Sequence, residues 1–296
     1  MGSWQEIPEL AQELAEHVKE GESALFVLHG QVFDYIRVNG DYLPFRHFLG
    51  HWLAQARHVV FYNLGLGLEF GDDAVEDAFR SALEPPAQGQ APGEEDGEDV
   101  SRVRARALRA LGAQPQAKPL PQSPREVLQL AERVMTAPCR QAGLSQPLAL
   151  ILEYAETIVP AVDLGSMGEP DRASLVTLLR WARQRELVEQ GHVIVLTTGN
   201  LAELNGNLLL SRHGAQIIEV PPPDQAARRH FIEHFLASGA CHLELSSQGL
   251  ANLAAGLSLQ VVRTLLRRSR RAPLTMEMVR KQIAEQEAAE GSAQNA

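Results

Sequence analysis

The sequence predicts an α/β fold, in which a five-stranded parallel sheet with a helical layer on each face is followed by a small helical domain. Up to about residue 220, short apolar runs typical of buried strands alternate with helical segments. Strands separated by helices form parallel βαβ units. After the three prolines at 221–223 no strand pattern recurs. The 296 residues are enough for such a core and a second, smaller domain.

The elements follow in order from this pattern. The five buried strands are expected over 24–28, 58–62, 148–153, 192–198 and 216–220. Core helices are expected at the N-terminus and over 44–57, 72–83, 123–137 and 171–185, and the later helices over 224–237, 246–254, 258–268 and 275–289. Asn39 and Gly40 lie between two alternating runs, which predicts a β-hairpin directly after the first strand.

Three glycines after the second strand invite comparison with a dinucleotide-binding fingerprint. Gly65, Gly67 and Gly71 have the spacing G-x-G-x-x-x-G, which is one residue too long. The fingerprint also follows the first strand of its unit rather than the second. We therefore expect only a turn that leads to the helix over 72–83.

A long segment in the middle of the core has a different composition. Residues 84–100 are rich in Pro, Gly and acidic residues, so they bury too little apolar surface to become ordered. An arginine-rich helical stretch over 101–111 and a loose Pro/Gln segment follow it. The predicted domains are thus a core over 1–222 with a largely disordered insertion over 84–122, a helical domain over 223–290 and a tail over 291–296.

Charge and composition exclude several classes of protein. A net charge of -10 argues against nucleic acid as a partner, since phosphate binding needs a basic face. The arginines within 263–271 are a local exception, interpreted as a solvated face or a contact to an acidic partner. Two cysteines make neither a disulfide framework nor a metal site. No secretory signal and no membrane-spanning apolar window is found, so we expect a cytoplasmic location without membrane contact.

Two predicted strands end in polar residues that suggest a phosphate site. The strand LALILE ends at Glu153, and HVIVLTT runs on to Asn200. A phosphate-binding loop would read G-x-x-x-x-G-K-[ST], where the lysine contacts the phosphates. The three lysines of the chain follow Val18, Ala117 and Arg280, so none belongs to such a loop. The first strand ends at Gly30 with no lysine and no Ser/Thr partner beside it.

These features resemble the AAA+ ATPases, with residues 148–236 carrying the resemblance. The run over 193–224 is similar to the family's stretch from its sensor 1 strand to the proline-rich lid junction. The chain is most similar to the P-loop-less amino-terminal AAA-type module that precedes a competent ATPase module in some bacterial proteins. The resemblance implies a five-stranded parallel core, with the helical domain as its lid, and assembly into a ring.

The resemblance also assigns roles to single residues. Glu153 stands at the Walker B aspartate, which holds Mg²⁺ through water, and Asn200 at the sensor 1 residue, which positions the attacking water. Tyr154 stands at the catalytic glutamate, where a phenol is a poor base. We therefore expect a degenerate nucleotide site of Gly30, Glu153 and Asn200, with no catalytic residue and no metal. A structural alternative is that Glu153 and Tyr154 only cap a strand and that Asn200 satisfies a turn.

The family's finger arginines are matched in part. Arg212 stands at the first of the two, which faces a neighbouring subunit, whereas Ala215 stands at the second. The resemblance therefore implies that Arg212 lies at a subunit interface. The alternative is a surface arginine without a nucleotide opposite it.

The expected function is that of an AAA+-like module that cannot hydrolyse ATP alone and acts in the assembly or regulation of an AAA+ complex. Its expected partners are AAA+ subunits or a protein client. One alternative is an NTPase whose phosphate site uses Gly30 and hairpin amides, with Arg37 and Arg46 as the nearby cations. Another is a sensor that binds nucleotide without turnover. No cofactor is expected, and ATP with Mg²⁺ stays open as a ligand.

Overall fold

The structure, a computed structural model, describes residues 8–83, 118–210, 214–239, 242–270 and 272–293. The strands in these ranges are β1 (Leu25–Gly30), β2 (Tyr35–Val38), β3 (Asp41–Pro44), β4 (His58–Asn63), β5 (Gly67–Phe70), β6 (Leu148–Glu153), β7 (Val193–Thr198) and β8 (Gln216–Val220). The α-helices are α1 (Glu9–Glu20), α2 (Phe45–Leu53), α3 (Asp73–Ala82), α4 (Pro124–Thr136), α5 (Glu169–Trp181), α6 (Arg185–Glu189), α7 (Gln225–Ala237), α8 (Ser247–Leu253), α9 (Leu259–Ser269) and α10 (Met276–Ala293).

The central sheet has six strands in the order β5, β4, β6, β7, β1, β8. Five of them are the predicted strands, and all five pair in parallel, which confirms the predicted fold class. In this register His29 is paired with Thr198, and Glu153 with Thr197. The carboxyl ends of β1, β6 and β7 therefore lie side by side at one edge of the sheet.

The sixth strand, β5, corrects the predicted five-stranded sheet and the turn expected over 65–71. It pairs with β4 in antiparallel orientation. The side chain of Asn63 closes the connection, because its Oδ1 accepts hydrogen bonds from the amides of Gly65 at 3.0 Å and Leu66 at 2.8 Å. Gly67 has a φ of 75°, which favours glycine. Gly65 thus lies in a hairpin turn and Gly67 begins the short strand that follows it, which the glycine spacing did not predict.

Alternation along the strands divides the core into two layers. In β6, Leu148, Leu150 and Leu152 pack with α3, α4 and α5, whereas Ala149 and Ile151 pack with α1 and α2 on the opposite face. Successive side chains of a strand point to opposite faces, so a continuous apolar run covers both. Both faces of the parallel sheet are therefore buried under helices.

The four helices after β8 have a hydrophobic cluster of their own, which includes Phe231, Leu250, Leu266 and Val279. Side-chain caps begin three of them. Asp224, Ser246 and Ser258 accept hydrogen bonds from backbone amides at the starts of α7, α8 and α9. Such caps satisfy amides that have no partner inside the helix.

The predicted hairpin is confirmed as the two-stranded sheet of β2 and β3. Asn39 and Gly40 at its tip have φ values of 52° and 81°, as a tight two-residue turn requires. Tyr35 and Tyr42 of this hairpin pack against the cluster of the C-terminal helices. The hairpin therefore contacts both parts of the fold.

Some predictions fall on residues outside the described ranges. They include the N-terminal helix before residue 8, the insertion and arginine-rich stretch over 84–117, Arg212, and residues 294–296 of the tail. Within the ranges that the structure describes, no helix is long and apolar enough to cross a membrane.

The amino end of the sheet yields a prediction on pH. His192 is 2% exposed, and its Nδ1 accepts a hydrogen bond from the amide of Leu148 at 2.9 Å. Burial lowers the pKa of His192 to about 4, from an ordinary value of 6.5. Below pH 6.5 the imidazole of His192 is protonated in the unfolded chain but stays neutral in the folded chain. The free energy of unfolding therefore decreases as the pH is lowered from 6.5 to about 4. The expected contribution is up to about 1.4 kcal/mol per pH unit.

Urea unfolding between pH 7 and pH 4.5 measures this contribution. The variant His192→Gln should show a shallower decline of the unfolding free energy than the wild type. The matched control His51→Gln alters an exposed helix residue and should keep the wild-type slope. Identical slopes for wild type and His192→Gln would contradict the assignment.

Candidate functional site

A cavity of about 320 Å³ opens at the carboxyl edge of the sheet, between the end of β6, the start of α2 and the start of α9. Its lining includes Phe33, Asp34, Arg46, Glu153, Thr197 and Gln260. Clefts at the carboxyl ends of parallel strands are the usual ligand sites of α/β folds. This cavity is therefore the candidate site.

Glu153, at the end of β6, is buried and has both carboxylate oxygens engaged. Its Oε1 accepts a hydrogen bond from Arg46 Nε at 2.8 Å, and its Oε2 accepts one from Asn63 Nδ2 at 3.0 Å. A buried carboxylate needs such partners, because an unpaired charge is costly away from water. Glu153 is thus part of an internal polar network rather than a free carboxylate.

Arg46 is the centre of this network. Besides Glu153 it forms an ion pair with Glu69 of β5, and its Cζ lies 4.2 Å from the centre of the Phe61 ring. The planar guanidinium group of arginine can hydrogen bond to carboxylates and stack on aromatic rings at the same time. Arg46 does both, with the two glutamates and with Phe61. The sequence indicates Arg46 as a cation near the phosphate-site position. Its ion pair with Glu69 was not predicted, because Glu69 lies on β5 and that strand was not expected.

Gly30 lies at the end of β1 with a φ of 92°. A Cβ atom at this position would lie 2.6 Å from the carbonyl oxygen of Val220 in β8. The next amide, of Gln31, donates to that same oxygen at 3.0 Å. The close approach that requires glycine is therefore between β1 and β8.

An aromatic pair lies at the mouth of the cavity. The rings of Phe33 and Tyr154 are stacked with centroids 4.6 Å apart, and they are 42% and 46% exposed. Tyr154 has a φ of 55°, a left-handed conformation that is uncommon for a residue other than glycine. Sequence reasoning did not identify Phe33, and its place three residues after the first strand is the signal that could have marked it.

Asn200 lies two residues after the end of β7, and its side chain makes local hydrogen bonds. Its Oδ1 accepts a hydrogen bond from the amide of Ala202 at 3.0 Å, and its Nδ2 donates to Glu203 at 3.4 Å. It thereby caps the short 3-10 helix Leu201–Glu203, and it does not line the cavity. The side chain of Asn200 thus satisfies an amide of this turn, and its part in a nucleotide site stays a prediction.

Asp34 is a buried site residue that the sequence analysis missed. It is 4% exposed, and its two oxygens accept hydrogen bonds from the amides of Leu259 and Gln260, each at 2.7 Å. Burial raises the pKa of Asp34, and the hydrogen bonds from backbone amides oppose that rise. Its position between the aromatic residues Phe33 and Tyr35, in the segment after β1, is the sequence feature that could have identified it.

The two residues matched to finger arginines are not equally described. Arg212 lies outside the described residues. Ala215 is half-buried and packs against the core. The interface role of Arg212 stays a prediction.

A second polar cluster lies at the amino ends of the parallel strands, on the opposite side of the sheet from the carboxyl ends. His58 contacts Asp72 through Nδ1 at 2.7 Å and Ser145 through Nε2 at 3.3 Å. Asp72 also caps α3 by accepting from the amide of Val75 at 3.0 Å. None of these residues lines the candidate cavity. The cluster joins the start of β4 to α3 and to the loop before β6.

The network around Arg46 gives a prediction on stability. The change Arg46→Ala leaves Glu153 buried with Asn63 as its partner, which should cost about 1–3 kcal/mol of unfolding free energy. The matched control Arg80→Ala breaks the pair with Glu76, one turn away on the surface of α3, and should cost about 0.5 kcal/mol or less. Urea unfolding at pH 7 compares the two, and equal losses would contradict the network.

Comparisons with known proteins agree with this architecture. A family model described as the N-terminal Rossmann-like domain of AAA+ chaperones matches residues 1–221. A second, described as the second helical domain of AAA+ chaperones, matches residues 226–289. No curated protein matches the chain.

Among solved structures, the chain is similar to one in the HORMA:CdnC:Trip13 complex of E. coli MS115-1. The identity is 12%, over 92% of this chain and 81% of that chain, with a TM-score of 0.47. This likeness is too distant to carry an argument. The two family models cover most of the sequence and confirm the resemblance to AAA+ proteins. The chain belongs to the AAA+ chaperone family.

Proposed function

We propose that this chain is a module that acts in the assembly or regulation of an AAA+ complex and does not hydrolyse ATP by itself. The observation that supports this proposal most directly is that the charge of Arg46 is already paired. Among the described residues that line the cavity, Arg46 is the one cationic side chain, and Glu153 and Glu69 already neutralise it. No positive charge is left there for a phosphate chain.

The other charges of the cavity point the same way. Asp34, Glu153 and Glu69 are carboxylates at or beside the cavity, against the single guanidinium of Arg46. Phosphoryl transfer depends on cations that stabilise the negative charge of the transferred group. An excess of carboxylates opposes the charge of a bare phosphate chain, which supports the proposal.

The residues next to Glu153 offer no better means of activating water. Tyr154 stands where the family has its catalytic glutamate, and its ring is stacked on Phe33. Asn200 is committed to a turn. What remains of an ATPase core is its shape, through which a module can still contribute contacts to a catalytically competent neighbour.

The alternatives are an NTPase with a non-standard phosphate site and a sensor that binds nucleotide without turnover. The observation that supports testing these alternatives is the cavity itself, which has Thr197 in its lining. Both alternatives differ from the proposal in nucleotide binding, and the NTPase differs in turnover as well.

We expect the purified chain to release no phosphate from ATP above background, whereas phosphoryl-transfer enzymes commonly reach about 1–100 turnovers per second. Calorimetry with ATP and Mg²⁺ is expected to detect no binding. Heat without phosphate release would indicate a sensor. Turnover that is lost on Glu153→Gln would overturn the proposal, because it would show that Glu153 serves a working site.

Assembly is tested at two regions. The first is Arg212, which the family resemblance assigns to a subunit interface. The second is the basic stretch 263–271, where Arg263 and Arg270 lie over the rings of Tyr35 and Phe235. Arg267, Arg268 and Arg270 are the exposed arginines of this stretch among the residues described, and of these Arg270 is engaged with Phe235 and Ser238.

We expect Arg212→Ala to weaken co-sedimentation of the chain with an AAA+ protein that has a P-loop, and the double change Arg267→Gln and Arg268→Gln to weaken it as well. Both variants remove positive charge from an otherwise acidic molecule. The matched control Arg185→Ala changes an arginine that is 89% exposed on α6, and it should sediment like the wild type. If the wild type binds no such partner, the module is better regarded as a binding protein for an unrelated client.

A further inference from the structure

We propose that the β2–β3 hairpin and the carboxylate of Asp34 form an internal clamp, which holds the C-terminal helical domain on the core and takes the place of a bound anion. The clamp comprises residues 34–42, which follow β1 where a nucleotide-binding core would have its phosphate loop. It makes three separate contacts with the helical domain. The proposal goes beyond assembly, because it concerns how the two parts of this chain are held together.

The first contact is at the start of α9. The carboxylate of Asp34 accepts hydrogen bonds from the amides of Leu259 and Gln260, each at 2.7 Å, and Ser258 Oγ accepts one from the amide of Val261 at 3.3 Å. The first amides of a helix lack partners within it, and the helix dipole adds positive charge there, so such ends attract anions. In this protein the anion is a side chain from the core.

The second contact joins the hairpin to α7. The ring of Tyr42 meets the ring of Phe231 edge to face at 4.7 Å, and its hydroxyl lies 2.9 Å from His230 Nδ1. Burial raises the pKa of Tyr42 to about 12. Asp41, the neighbouring residue, lies 3.3 Å from His234 Nε2.

The third contact joins the other strand of the hairpin to α9. The guanidinium of Arg263 lies over the ring of Tyr35 at 4.9 Å and hydrogen bonds to its hydroxyl. The hairpin is held to the core as well, because the amide of Phe45 donates to the carbonyl of Asp34 at 2.9 Å. One short segment thus contacts α2, α7 and α9 together.

The clamp has a consequence for ligands. The segment is covalently continuous with β1, so its contacts with the helical domain do not depend on a bound ligand. A phosphate group at the start of α9 would have to displace the buried carboxylate of Asp34. This consequence for nucleotide rests on the proposed function, whereas the clamp itself does not.

Hydrogen exchange of the intact chain, followed by mass spectrometry, tests the clamp. In Asp34→Ala we expect exchange to rise at least about tenfold in peptides from the hairpin, from α7 and from α9 together, because the two parts then separate more often. The matched control is Asp224→Ala, which also removes an aspartate cap from a helix of the same domain. Asp224 accepts from the amide of Ala227 at 2.7 Å within its own helix start, so the rise should be limited to the first turn of α7.

A second variant covers the case in which Asp34→Ala fails to fold. Tyr42→Phe keeps the ring on Phe231 and removes only the hydroxyl, so a smaller rise is expected, confined to the hairpin and α7. The wild type is also measured with millimolar ATP and Mg²⁺, which should leave the exchange of α9 unchanged.

Two results would overturn the clamp. In the first, Asp34→Ala changes only the first amides of α9, as loss of an ordinary helix cap would, and Tyr42→Phe changes nothing. In the second, ATP slows exchange at the start of α9 in the wild type, which would mean that phosphate displaces Asp34. A failure to bind an AAA+ partner would count against the proposed function alone, and the first result would count against the clamp alone. Slower exchange with ATP would contradict both the clamp and the expected absence of nucleotide binding.

Discussion

The parallel register of β1, β6 and β7 is the constraint on which the rest of the structure depends. It brings the ends of these strands, at Gly30, Glu153 and Thr198, to one edge of the sheet. Whatever follows each strand must then share the same small space. In this chain the segment after β1 is a hairpin with a buried aspartate, and the position after β6 is a tyrosine in a left-handed conformation. The family fold is retained, while the groups in that space are bound to one another.

Neutralisation within the cavity explains how charged groups persist in a buried position. Arg46 and Asn63 satisfy both oxygens of Glu153, and helix amides satisfy both oxygens of Asp34. Each carboxylate is stabilised by partners that belong to the protein and are present at all times. An active nucleotide site differs in this respect, because its charged groups are completed by a ligand and a metal ion that come and go.

Much of the fold could be predicted from the sequence, because buried parallel strands are continuous apolar runs and helix starts have Ser, Asp or Pro. The five parallel strands and the hairpin at Asn39 and Gly40 follow from such local signals. The strand β5 did not, since it is four residues long and is defined by the turn that Asn63 closes. The partners of Glu153 and Asp34 were also beyond prediction. Arg46 is 107 positions away from Glu153 in the sequence, and Leu259 is 225 positions away from Asp34. No local sequence pattern encodes such contacts.

The short strand β5 also limits how this protein can associate with others. An unpaired strand at the edge of a sheet is a template on which a second chain can add its own strand. Here the β4 side of the sheet ends in β5, which is four residues long, and Glu69 of that strand forms an ion pair with Arg46. At the other edge, β8 presents the exposed charge of Glu219. Neighbours are therefore expected to meet this module through side chains on its surfaces, and a continuous sheet running from one subunit into the next is disfavoured.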